Sequence, residues 1–153
     1  MMEIEKTDIA ILRELQNDGR LSSAKLAQKL SLSEAPCWRR IKKLESEGYI
    51  LGYQANLDRK KLGYSIIAYA LVSFGDHAGD DPLLFEREVQ VMPNILQCHN
   101  VAGECDYLLM ITATSLEQYG DFIWNQLRKM PGVSSVKSLL SMREVKTSGK
   151  LVF

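Results

Sequence analysis

Near Tyr64 the apolar residues stop recurring at helical spacing and begin a β-rich run, and one secondary-structure element cannot serve both periods. The chain of 153 residues is therefore read as two small domains: a helical one over 1–56, a polar linker over 57–63, and an α+β one over 64–153.

In the first part, Ile9, Leu12 and Leu15, with Ile11 beside them, set out a helix from Asp8 to Asn17 that Asp18-Gly19 stops. Ser22 is placed to cap a second helix with Leu26, Ala27 and Leu30 as its apolar stripe, and Ser31-Leu32-Ser33 turns into a third. Ser33 caps this third helix, Pro36 falls in its first turn, where a missing N–H is tolerated, and Gly48 follows its last turn. Three helices with a tight connection before the third make a helix-turn-helix, whose last helix is the one that enters a DNA groove.

At about 100° per residue, Cys37, Ile41 and Leu44 fall on one side of the third helix and face the other two. The far side carries Ala35, Arg39, Lys42, Lys43 and Ser46, with Trp38 and Arg40 at its flanks. Residues 39–43 hold four cations and no acid, the donors needed for phosphates and guanine edges. A basic helical face is often merely solvated; its place on the third helix is what argues for double-stranded DNA. The DNA contacts are assigned to Ser33, Ala35, Pro36, Trp38, Arg39, Arg40, Lys42 and Lys43. Trp38 either stacks on the DNA backbone or, as its large apolar area favours, packs beside the second helix. Tyr49 to Leu57 reads as strand, Gly52-containing break and strand, the pattern of a wing. The basic run Arg59-Lys60-Lys61 in the linker touches the DNA backbone or is simply solvated.

Charge supports the division weakly. The net charge is zero, yet residues 1–63 hold 12 Lys/Arg against 9 Asp/Glu and the remainder 7 against 10, so the front half leans basic.

In the second part, a strand ending at Gly75-Asp76 is followed by a helix from about Asp81 to Val91, broken by Met92-Pro93-Asn94. Strands over 95–101 and 107–114 flank a turn at Ala102 to Asp106. Ser115 caps a helix to Met130 that Pro131-Gly132 ends, and a last strand runs from Val133 to about Lys146. The order βαββαβ is that of a ferredoxin-like domain, two helices on one face of an antiparallel sheet, and a domain this small gains by covering the other face with a second copy.

Other classes find little support. No apolar run approaches the ~20 residues of a membrane span, and the charged start lacks a signal segment, so a cytoplasmic protein is expected. Cys37, Cys98 and Cys105 form no CxxC pair, as in a reducing compartment. With only His77 and His99, and Cys98 and His99 pointing to opposite faces of a strand, no metal or other cofactor is expected. No nucleophile or acid–base constellation is evident; Cys37 reads as inert packing and His99 as structural.

The sequence resembles the Lrp/AsnC family, the leucine-responsive or feast/famine regulators of transcription, over nearly its whole length. The likeness is carried by Asp8-Ile9-Ala10-Ile11-Leu12, Gly19-Arg20-Leu21-Ser22, Leu32-Ser33 with Pro36-Cys37-Trp38-Arg39-Arg40-Ile41, Leu44-Glu45-Ser46-Glu47-Gly48-Tyr49-Ile50 and Ala102-Gly103-Glu104-Cys105-Asp106-Tyr107-Leu108-Leu109. The resemblance implies a winged helix-turn-helix, a sheet domain that pairs into homodimers and further into octamers, and an effector, commonly an amino acid. It places the effector at Gly103, Glu104, Asp106, Tyr107 and Ser138. There a Gly-containing turn would offer N–H groups to a carboxylate, and Asp106, or alternatively Glu104, would accept from an ammonium; Asp106 equally suits the shaping of a hairpin turn. Leu139 departs from the pair of small hydroxyl residues relatives often carry at 138–139, and the tail 147–153 departs from their hydroxyl-rich, proline-ended one. Siroheme decarboxylases resemble the same architecture and stand as the enzyme alternative, although two histidines are few for tetrapyrrole handling.

Overall fold

Spacing, caps and stops in the first fifty residues produce three helices: α1 (Lys6–Asn17), α2 (Ser23–Lys29) and α3 (Glu34–Ser46). They close on Ile11, Leu15, Leu26, Ala27, Cys37, Ile41 and Leu44. The stripes of α2 and α3 are those expected from spacing, with Leu30 only partly buried, whereas on α1 the buried face is Asp8, Ile11 and Leu15, and Ile9 and Leu12 of the expected stripe lie at its edge. The computed structural model describes residues 4–75, 81–147 and 149–153; Asp76 of the expected strand-closing turn and His77 lie outside them.

The connections are set by local chemistry. Ser22 Oγ accepts from the Lys25 N–H at 3.3 Å, satisfying one first-turn donor of α2. That helix ends in a Schellman closure: Leu32 N–H donates to Ala27 O at 2.9 Å and Ser31 N–H to Gln28 O at 3.3 Å, with Ser31 at φ 54°. The end of α3 repeats it, Tyr49 N–H reaching Leu44 O at 2.9 Å and Gly48 N–H reaching Glu45 O at 3.1 Å, with glycine at the positive φ of 77°.

The expected wing strands differ. Residues 51–57 form no strand and take part in no backbone hydrogen bond among the described residues. An isolated two-stranded ribbon of three residues before Gly52 and five after it is marginal in water, and Ile50 packs against the helical core instead.

The second part contains β1 (Ile66–Phe74), α4 (Asp81–Gln90), β2 (Ile95–Asn100), β3 (Tyr107–Ala113), α5 (Leu116–Asn125), a 3₁₀ turn (Leu127–Lys129) and β4 (Val133–Leu140). The strands lie antiparallel in the order β2-β3-β1-β4, the ferredoxin-like topology. On the face shared with α4 and α5, Ala68, Ala70 and Val72 of the central β1 meet Leu109 and Ile111 of β3 and Phe85, Val89, Phe122 and Ile123 of the helices. Two alanines on a central strand let the helices approach the sheet closely. The opposite face presents Tyr69, Leu71, Leu108, Met110 and Leu139, none of them buried.

Two elements end earlier than their sequence suggests. The helix expected to reach Met130 stops at Asn125 and tightens to 3₁₀, since Met130, held extended ahead of Pro131, cannot continue it. The strand expected to reach Lys146 stops at Leu140 because β1 begins at Ile66: Ala68 pairs with Leu140, and one further bond from Ser141 N–H to Ile67 O finishes the ladder.

By its internal contacts the chain divides into two compact units, one holding the chain up to Asn56 together with Lys146–Phe153, the other Leu57–Val145.

Candidate nucleic-acid interface and effector turn

The buried stripe of α3 fixes which way its cations point. With Cys37, Ile41 and Leu44 against α1 and α2, the residues Ala35, Pro36, Trp38, Arg39, Lys42 and Lys43 are all exposed. Lys42 pairs with Glu45 at 2.7 Å and Lys43 with Glu47 at 3.9 Å, both exposed side-chain pairs of the kind worth about 0–1 kcal/mol. Exchanging either carboxylate for a phosphate therefore costs little. Arg39 has no hydrogen-bond or ion-pair partner among the described residues. Burial raises the Cys37 thiol pKa, with Glu34 adding to the shift, in keeping with an unreactive packing role.

Two of the assigned residues behave differently from expectation. Trp38 keeps 51% of its surface exposed, so it is only half covered and leaves the rest of its ring open to solvent. Arg40 turns back to α1: Nη1 lies 2.9 Å from Asp8 Oδ1 and 2.9 Å from Glu5 Oε2, and the Asp8 carboxylate is buried. The hydrogen bonds it donates to Asp8 and then to Glu5 raise its pKa and hold the guanidinium charged. Arg40 thus anchors α3 to α1. Ser33 sits at the N-cap of α3 with no side-chain capping bond.

The turn between β2 and β3 is built around Asp106. Its N–H donates to Val72 O at 2.9 Å, its carbonyl accepts from Val101 N–H at 2.9 Å and Asn100 Nδ2 at 3.0 Å, and its Oδ2 accepts from Phe74 N–H at 2.7 Å. That carboxylate therefore ties the start of β3 to the end of β1. Glu104 is exposed, Gly103 has φ 151°, and the N–H groups of residues 102–105 donate to no protein acceptor among the described residues. Tyr107 is buried beneath the turn, its hydroxyl donating to Glu86 at 2.7 Å and its ring packed with Phe74 and Phe85. Burial first and Glu86 second push its pKa to about 12. Ser138 Oγ is taken by the Tyr119 hydroxyl at 2.6 Å. It lies on β4, two strands from β3, about 10 Å across the sheet, so one chain does not bring Ser138 to the turn.

Sequence reasoning missed the partners of α1. In the sequence Asp8 only marks the start of the first helix, and a buried polar residue facing a flanking cation is a long-range pairing with no local signal.

Comparison with known proteins supplies the context for this geometry. Residues 4–50 match the family model described as winged helix-turn-helix DNA-binding, and residues 67–151 match the Lrp/AsnC ligand binding domain. The chain is 38% identical over 145 residues to the Bkd operon transcriptional regulator of Pseudomonas aeruginosa, covering 95% of each chain. It is 35% identical to the leucine-responsive regulatory protein of Escherichia coli, covering 98% of this chain and 92% of the relative. Among solved structures, a transcriptional regulator from Neisseria meningitidis in complex with L-Met superposes with a TM-score of 0.93 at 33% identity, covering 98% of this chain and 97% of the other. An AsnC family regulator from Agrobacterium tumefaciens gives 0.90 at 30% identity, with 97% of each covered. All four are named as regulators, and none as the siroheme decarboxylase weighed as an alternative.

Proposed function

The chain belongs to the Lrp/AsnC family of transcriptional regulators, and from that premise we propose that it reads double-stranded DNA as a homodimer through α3 and answers to an amino acid held at the turn between β2 and β3. In this reading residues 1–56 are the DNA-binding domain, 57–63 the linker, and 64–153 the sensing and assembly domain, acting in the cytoplasm where the DNA is.

The observation that carries the DNA reading is the outward face of α3, where Arg39 stands without a partner among the described residues, beside Lys42, Lys43 and Trp38. Arg39 and the lysines supply phosphate and base-edge donors, with Ala35, Pro36 and Ser33 at the end of the helix that enters the groove. Fluorescence anisotropy on duplex fragments from upstream of the chain's own gene tests it. Arg39→Ala is expected to lose about 1–3 kcal/mol of binding if it reads a base, or to lower the salt slope by about one if it grips a phosphate. An unchanged affinity and an unchanged slope would remove the residue from the interface.

The effector reading is supported by the open N–H groups at 102–105 and by exposed Glu104, which offer a carboxylate and an ammonium their complements. Tyr107 underlies the turn, and Asp106 ties it to β1. Ser138, two strands away, would join only as part of a pocket completed by neighbouring copies. The similar Neisseria regulator was solved with L-Met and the Escherichia coli relative is named leucine-responsive, which favours an amino acid with an apolar side chain. Thermal-shift measurements with the twenty amino acids test this, a ligand at 100 times its Kd adding about 2.7 kcal/mol to stability.

The apolar outer face of the sheet, with Tyr69, Leu71, Met110 and Leu139, supports pairing of two copies there. Further association to octamers follows the family pattern.

A further inference from the structure

We propose that residues 149–153 form a strap that α1 holds closed, so that the DNA-binding unit is joined to the rest of the chain by two anchored connections instead of one. The strap's geometry is independent of the regulator reading; only its consequence for DNA rests on it.

α1 reads the strap chiefly through its main chain. Gln16 exchanges two hydrogen bonds with Leu151, Nε2 donating to the carbonyl at 2.8 Å and Oε1 accepting from the N–H at 2.7 Å. A side-chain amide that satisfies both backbone groups of one residue reproduces a rung of a β-ladder. One helical turn earlier, Arg13 Nε donates to the main-chain oxygen of Phe153 at 2.6 Å, and its other guanidinium nitrogen reaches the same atom. Asn17 Oδ1 accepts from Lys150 Nζ at 3.0 Å. Positions 13, 16 and 17 share one face of a helix, and they meet residues 153, 151 and 150 in reverse order, so the strap runs antiparallel to α1.

Among the strap's apolar residues Val152 is the most exposed, while Leu151 keeps 72% and Phe153 41% of its surface exposed. Leu151 and Phe153 line an apolar cavity of about 620 Å³, with Ile9, Leu12, Tyr49 and Tyr53 among its other walls. Val152 between them is fully exposed. The residues that face the cavity are the same ones whose backbones α1 grips.

The chain leaves the helical unit after Asn56 and re-enters it at Lys146. Inside the other unit the same two connections are fixed to each other: Arg59 pairs with Glu144, and its Nη1 donates to the Tyr64 carbonyl at 2.6 Å. A unit on one flexible linker samples many orientations, and closing a second connection removes most of them. A dimer that must seat two recognition helices in successive half-sites then loses less orientational entropy on binding.

Amide exchange by NMR on the full chain, with DNA binding alongside, tests the strap. The Leu151 amide is expected to be protected in the parent and in Val152→Asp, whose side chain points outward, and to lose protection in Gln16→Ala and Leu151→Asp. The two opened variants are expected to bind a duplex with two half-sites roughly fivefold more weakly, about 1 kcal/mol, while their affinity for one half-site is unchanged. A Leu151 amide that exchanges at the random-coil rate in the parent overturns the strap, and equal losses on both duplexes overturn its role as an orienting connection. If the parent binds no duplex at all, the regulator reading fails while the amide comparison still decides the strap.

Discussion

Arg39 and Arg40 follow one another on α3, yet the helix sends the first outward and the second back to α1. A 100° step per residue is enough to separate the two roles. Arg40→Met would leave the Asp8 carboxylate buried without its charged donor, at a cost of about 1–3 kcal/mol, read as a lower urea midpoint with little change in DNA affinity of the folded protein. This contrasts with Arg39→Ala, which is expected to weaken binding without moving the midpoint. Tyr107 gives a pH test. Its pKa is about 12 in the fold against 10 in the unfolded chain, so below pH 10 both states hold the phenol proton and stability is unaffected. Between about pH 10 and 12 the unfolded state releases the proton and the native state does not, so stability falls as pH rises through that window. Tyr107→Phe is expected to flatten this alkaline loss in a thermal-melt series while sacrificing the bond to Glu86, about 0.5–1.5 kcal/mol at neutral pH.

Element ends separate two glycines that look alike in sequence. Gly48 closes α3 and Gly132 precedes β4, both at positive φ, 77° and 74°. A Cβ at Gly48 meets nothing within 4 Å, so Gly48→Ala is expected to cost only the backbone strain, about 1 kcal/mol. A Cβ at Gly132 would lie 2.7 Å from Asp81 Cβ and 2.8 Å from a Phe74 ring carbon, so Gly132→Ala should add an overpacking cost, about 2–4 kcal/mol in all. Equal midpoints for the two variants in denaturant would contradict this. The same contrast marks how far the sequence could be read. Helix starts and stops at Ser22, Gly48 and Ser115 were legible because capping is decided within a few residues. Strand ends were not: where β4 stops depends on where β1 begins, some seventy residues away. Nor was the wing, because residues 51–57 have the composition of strands but find no backbone partner among the described residues. The outward face of α3 followed from periodicity, whereas the return of Arg40 to Asp8 spans 32 positions and has no local sign.

At the scale of the whole molecule, the two faces of the sheet bear on the proposed effector site and on the proposed pairing of copies. β4 alternates, so Ser138 turns inward to Tyr119 while Leu139 turns outward beside its register partner Tyr69. The departure at Leu139 therefore does not remove a polar group from the interior; it adds apolar area to the face on which pairing is proposed. Leu139 is already 56% exposed in the single chain, so Leu139→Lys should barely change the stability of the isolated fold. In a two-fold pair each substitution is present twice, and losing burial of a leucine costs about 1.5–3 kcal/mol at each copy. The dimer is then expected to weaken by more than about a hundredfold, seen by light scattering as a shift to smaller species at micromolar concentration. If the effector pocket needs neighbouring copies, the same variant should lose its amino-acid-dependent thermal shift together with its assembly. A Leu139→Lys protein that dissociates yet keeps the full ligand-induced shift would place the pocket within a single chain.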